Sequence, residues 1–156
     1  MSTEVSFFAE AGPYIDLAVR IGPLPDSAKI AVPVGSVRWI VCASPDYLAA
    51  HGEPKSPAEL AKRGGGQSVP VHSRLSVNTA EAALDAAAQG VGLTRILSYQ
   101  AARLLSQGAL KTVLHTFEPK AVPVNLLLLP QRALPLKTRS FIDFAALRLK
   151  ARLASN

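Results

Sequence analysis

The sequence predicts an α/β fold, and three observations carry that expectation. Short β-branched and apolar runs, YIDLAVRI, SVRWIVCA and VPVNLLLLP, recur along the chain. Between them lie stretches with helix start signals, Ser44-Pro45, Ser56-Pro57 and the polar lead-in to AEAALDAAAQ. The order reads strand, loop, strand, helix, strand, helix, strand, helix, strand, strand, helix. Alternation of this kind points to mainly parallel strands with helices on the sheet faces.

Composition bounds the rest. The 156 residues suffice for one ordinary domain or two small lobes. Hydrophobic residues make up 49% and mean hydropathy is +0.22, enough for a core. Aromatics are only 6%, so that core is mostly Ala, Leu and Val. Lys plus Arg number 17 against 11 acids, giving +6 and a pI near 9.8. Such a balance suits an acidic partner or an anionic ligand. The basic residues are scattered, with no aromatic-studded basic strand, which argues against direct nucleic-acid binding. Cys42 is the one cysteine, so no internal disulfide forms, in keeping with a reducing cytoplasm. No basic-apolar leader opens the chain, and no run approaches the roughly 18 apolar residues of a spanning helix. No membrane partner is expected.

Residues 1–13 carry no assignment. Tyr14–Ile21 reads as a buried strand that leaves Arg20 at its end, and GPLPDSA from Gly22 is a loop. Lys29–Val34 and Gly35–Ala43 read as extended. Ser44 caps a helix whose first residue is Pro45, and Gly52 ends it. Ser56 and Glu59 repeat the device as a capping box. Lys62–Ser68, KRGGGQS, lacks the Lys-Ser/Thr ending of a phosphate loop. Val69–Val77 reads as a strand with His72 on it, and no second metal-type residue stands at ligand spacing.

Ser76–Tyr99, SVNTAEAALDAAAQGVGLTRILSY, is the best-defined stretch. Asn78 is the expected N-cap, Glu81 stands three residues on, and Gly90 suits the left-handed residue past the end. The helix N-terminus presents free N–H groups and partial positive charge. Gln100–Ser106 is a further helical turn or two, ALKTVL a strand, and Phe117–Pro123 a loop. Pro135 begins a final helix, with Phe141, Phe144, Ala145, Leu147 and Leu149 expected to pack.

The set IVCASPDYLAAHGEPKSPAEL, YIDLAVRIGPLPDS, the capped Ala-rich helix with GLTRILSYQ, and VPVNLLLLPQRALPLKTRSFIDFAALRL resembles the effector-binding domain of LysR-type transcriptional regulators. The resemblance runs from about Tyr14 to Leu149. It implies a periplasmic-binding-protein-like (type II) fold: two α/β lobes with a hinge of crossover strands. On it, residues 14–36 and 98–156 form the first lobe and 37–97 the second, with crossings near Gly35–Val41 and Ile96–Ala101. The family's first lobe opens with further strands and helices before the DLAVRIG strand, so the first lobe reads as incomplete.

That resemblance implies a sensor domain. A small organic, usually anionic, effector binds between the lobes. The domain self-associates, and DNA is reached only through a helix-turn-helix domain not in these residues. Candidate ligand contacts are Arg20, Ile21 and Gly22 at the end of the first-lobe strand. Val77, Asn78 and Thr79 stand at the helix N-terminus, and Leu97 and Ser98 at the return crossing. Arg20 suits bidentate pairing with an anion, or equally a structural ion pair with Asp26. No cofactor or metal is implied. A nucleophilic role for Cys42, with His51, His72 or His115 as base, is disfavoured by its apolar strand and by the absence of G-x-S-x-G or H-E-x-x-H. A truncated interaction module of the same fold is the alternative.

Overall fold

A computed structural model of the chain describes residues 17–24, 30–63, 75–128 and 135–154. Their order is β1 (Leu17–Ile21), β2 (Ile30–Val37), β3 (Trp39–Ala43), α1 (Pro45–His51), α2 (Pro57–Arg63), α3 (Ala80–Ala88), β4 (Thr94–Leu97), α4 (Ser98–Ser106), β5 (Lys111–Val113), a 3-10 turn (His115–Phe117), β6 (Val122–Leu128) and α5 (Leu136–Ala154). The expected strand over residues 69–74, with His72, lies outside the described residues, and Leu75–Val77 form no strand. Residues 1–16, Asp26 and the triple glycine lie outside them too.

Two units divide the chain. The second, Val37–Ala121, is built on a sheet of order β4-β3-β5. Ile40 and Cys42 turn one face of β3 toward Leu84 and Ala87 of α3 and Ala101 of α4, with Ile96 and Leu110 completing the cluster. Val41 and Ala43 point the other way, where Tyr47 and Leu48 of α1 pack with Val113. Period-two alternation along β3 thus serves two helical layers.

The first unit holds a sheet of order β1-β6-β2, with α5. Val124 to Leu128 of β6 are buried without a break, in keeping with the central place of β6 in the sheet. β1 is an edge strand, and so the expected buried strand at YIDLAVRI is only half covered: Val19 is 57% exposed. The end of α5 crosses β2 at Gly35, where a Cβ would stand 3.0 Å from the Leu153 Cβ. Gly35 also has φ +150°, so both space and backbone ask for glycine.

Several expectations need correction. The defined pairs, β1 with β6 and β3 with both β4 and β5, are antiparallel, not mainly parallel. Alternation says that connections are long; it does not say which way the next strand enters the sheet. The return to the first unit falls after Ala121, not at Ser98. β5 pairs with β3 and Ala101 packs beside Ile40, which holds residues 98–121 in the second unit. The final helix buries Thr138 and Ile142, whereas Phe141, Phe144 and Leu147 are exposed.

Local signals fared better. Ser44 Oγ accepts from the Tyr47 N–H at 3.2 Å, and Pro45 opens α1. The α3 cap is Thr79, not Asn78: Thr79 has extended dihedrals and its hydroxyl accepts from the Ala82 N–H. That shift by one residue puts Glu81 at the second helical position, out of capping-box register. Glu59 Oε2 accepts from the Lys55 N–H at 3.1 Å, one residue before the expected Ser56. Gly90 has φ +79°, and the N–H groups of Gly90 and Val91 close back on Ala87 and Ala86. This is the Schellman closure the sequence predicts.

Candidate functional site

The candidates divide between the units. Arg20, Ile21 and Gly22 end β1 in the first, with Arg20 opposite the buried Asn125 of β6. The Gly22 N–H donates to the Pro123 oxygen at 2.9 Å, which extends the ladder one step past Ile21. Arg20 Nε donates to the Pro23 oxygen at 3.2 Å. The guanidinium is thereby curled over its own loop, a posture that fixes its fork near the strand end. Ile21 is 37% exposed.

Val77, Asn78 and Thr79 lead into α3 in the second unit, and all three are exposed. Thr79 spends its hydroxyl oxygen on the Ala82 N–H. The N–H groups of the first helical residues have no partner within the helix by its geometry. They supply the positive end for an anion, but Glu81 in the first turn already offsets part of that charge.

Leu97 and Ser98 are buried where β4 passes into α4. The Ser98 hydroxyl oxygen accepts from the Arg38 N–H at 3.3 Å, and the Ser98 N–H donates to the Arg38 oxygen at 2.8 Å. Ser98 therefore braces the segment between β2 and β3. It does not lie at the return crossing, which comes more than twenty residues later.

Sequence reasoning missed a polar chain beside this brace. Arg38 Nη1 donates to Glu118 Oε2 at 2.7 Å, with the Glu118 side chain only 12% exposed. Glu118 Oε1 lies 3.2 Å from His115 Nδ1, and His115 Nε2 lies 3.0 Å from Thr112 Oγ1. A signal was present: Arg38 stands inside the apolar run SVRWIV, and a charge there asks for a partner. Arg95, opposite Val41, lies over the Trp39 ring at 4.9 Å.

No nucleophile is assembled from the cysteine and histidines described. Cys42 is fully buried, and burial pushes its thiol up to about 11. A thiol so shielded is protonated and inert at neutral pH. His51 stacks on Tyr47 with ring centroids 4.3 Å apart, and His115 is engaged by Glu118 and Thr112. No group of three metal-ligating side chains occurs among the described residues, and no described helix is long and apolar enough to cross a membrane.

Comparison with known proteins places this architecture. The family model for the LysR substrate binding domain matches residues 11–64 and 62–150. The chain belongs to that family. A helix-turn-helix-type transcriptional regulator of Xanthomonas campestris is 31% identical over 157 residues, covering 86% of this chain and 46% of its own length. The regulator CrgA of Neisseria meningitidis is 26% identical over 149 residues, 83% of this chain and 50% of its own length. The chain thus spans about half the length of the regulators it matches.

Solved structures agree. The regulatory domain of CrgA superposes with a TM-score of 0.72 at 25% identity, covering 86% of this chain and 76% of that one. The regulatory domain of AphB from Vibrio vulnificus, treated with cumene hydroperoxide, gives 0.73 at 26%, with 85% and 75% covered. The fold is therefore the periplasmic-binding-protein-like, type II fold of LysR regulatory domains.

Proposed function

We propose that the chain is the small-molecule-sensing part of a cytoplasmic LysR-type transcriptional regulator. The observation that carries this is the family match over residues 11–150. In this reading the effector is a small organic anion held between the lobes. Arg20 supplies a guanidinium, and Asn78 and Thr79 a helix N-terminus, for its charged end. Ile21, Gly22, Val77 and Leu97 line its apolar part, and Ser98 acts indirectly through Arg38. Binding shifts the population of lobe arrangements. The change is passed through a homo-oligomer to helix-turn-helix domains lying outside these residues. The domain is not an enzyme, and the inert Cys42 supports that reading.

A thermal-shift screen of small carboxylates tests the proposal. A true effector at a hundred times its Kd adds about 2.7 kcal/mol of stability. Arg20→Gln and Thr79→Ala should each weaken that shift while leaving the unliganded melting temperature nearly unchanged for Arg20→Gln. No stabilisation by any carboxylate would count against the anion-sensing reading.

Exposed apolar side chains on the first unit favour a second reading, a module that associates with other polypeptide and has no working ligand site. Its signature is a mass that rises with concentration and no response to any small molecule.

A further inference from the structure

Arg38 is the single residue between β2 of the first unit and β3 of the second. It lies just inside the outgoing crossing, between Ser36 and Val37; Glu118 lies just before the return, between Ala121 and Val122. Eighty positions separate them in sequence, yet Nη1 and Oε2 are 2.7 Å apart. Both polar groups of the Arg38 backbone are bonded to Ser98. Beyond Glu118, His115 bridges to Thr112 on β5. Leu114 reaches this bridge with φ +61°, a left-handed conformation that costs a non-glycine residue energy. Local backbone strain thus sits immediately before His115, at the entry to the 3-10 turn.

We infer that Arg38, Ser98 and Glu118 form a clasp that pins the two chain crossings to the second unit, with His115 as its buttress. The crossings are the covalent links between the units, so the clasp governs how freely those links flex. Arg38 is a positioning residue: it acts by holding both crossings and not by touching a ligand. The largely buried Glu118 carboxylate asks for a cationic partner, because an unpaired carboxylate there is unfavourable; Arg38 Nη1 meets one of its oxygens and His115 Nδ1 the other. The Arg38 side chain is 48% exposed, so its Coulomb attraction is screened, and the geometry of three bonds on one residue matters more than the charge.

Amide hydrogen exchange on the unliganded chain tests this without any effector. Arg38→Gln and Glu118→Gln should each speed exchange about tenfold at the bonded amides of Arg38, Ser98 and Glu118. Rates at Ile40 and Val113, inside the sheet, should stay as they are. His115→Gln should give a smaller change at the same amides. The exchanged pair Arg38→Glu with Glu118→Arg should restore much of the protection, which a merely bulky core contact would not allow. Unchanged exchange at the crossings, or an equal rise throughout β3, β4 and β5, overturns the inference. Failure of every small-molecule screen would leave this result untouched, so the two proposals stand or fall separately.

Discussion

The two units close their cores differently. In the second, β3 lies between β4 and β5, with helices on both faces, and Ile40, Cys42, Ala43 and Val113 are each at 1% exposure or less. In the first, β6 is as well buried, but its neighbours are not: Ile30 is 60% exposed on β2, and Leu136 and Leu147 on α5 are 80% and 70% exposed. Burial of apolar area, roughly 25 cal/mol per Å², is thus less complete on the strands and long helix of the first unit, while the exposed large apolar side chains of the second, among them Leu75, Val77 and Phe117, lie off its strands. A sheet with one sound central strand keeps its register without completing its surface. The contrast is thus one of sheets: the second unit closes its strands, and the first leaves apolar side chains of its strands and long helix in solvent.

The sharpest way to break that comparison is to empty one core at a time. Trp39 is the only tryptophan and lies in the second unit, so its fluorescence reports that unit alone, while far-UV circular dichroism reports both. Ile40→Ala should cost about 2–5 kcal/mol and move the fluorescence transition in urea. Leu126→Ala should cost a similar amount and move the dichroism while sparing much of the fluorescence change. If both variants shift both signals equally, the units unfold as one and the contrast between them fails.

Gly35→Ala comes next. The new methyl group meets Leu153, and the backbone is held at φ +150°. A loss of about 1–3 kcal/mol is expected in the first unit, read as an earlier dichroism transition with fluorescence nearly unmoved. Leu153→Ala in the same chain should recover part of it, because the clash is removed and the backbone strain is not.

Alkali acts on the opposite unit. Cys42 is raised from 9.0 to about 11 by burial, so the folded chain holds its proton after the unfolded chain has released it. The stability this lends is complete below pH 9 and drains away as pH rises to about 11. Urea midpoints by Trp39 fluorescence should fall across that window in the natural chain and less in Cys42→Ala. A thiol reagent at neutral pH should label Cys42 only in urea.

What the sequence revealed follows the range of the interactions. Helix ends are decided within five residues, and Ser44-Pro45 and Gly90 were readable where they stand. Thr79 was missed by one position because Asn78 and Thr79 are both good caps and only the backbone dihedrals choose between them. Strand direction was not readable: β3 and β4 pair across some fifty residues, and nothing local to Trp39 or Leu97 encodes the sense of the pairing. The Arg38–Glu118 pair spans eighty residues: the apolar run showed that Arg38 needs a partner, but nothing local named Glu118 as that partner. Phe141, Phe144 and Leu147 were read as a packing face because the sequence shows apolar residues without showing which side of the helix the sheet takes. Among the candidate residues, the engagement of Ser98 by Arg38 was not legible.

A smaller effect probes the caps. Thr79→Ala removes the acceptor for the Ala82 N–H and should cost about 1 kcal/mol. Ser44→Ala should cost more, because Ser44 is buried at 3% exposure and the Tyr47 N–H it satisfies is out of water. Both changes belong to the second unit and should appear in the Trp39 signal. Equal costs would mean that burial at Ser44 adds nothing to the cap.

The smallest change tests the open surface itself. Phe144 is 52% exposed, and the Arg148 guanidinium lies 3.6 Å from its ring centroid. Phe144→Ser gives up that exposed cation–π contact, worth about 0.5–1 kcal/mol, and little buried area. Stability should fall by no more than about 1 kcal/mol, while binding of an apolar dye and self-association at high concentration should both decrease. A loss of several kcal/mol would show instead that the ring is covered in solution. The first unit would then be as closed as the second, with its cover supplied by another polypeptide surface, and the exposed face of α5 would have to be counted as core.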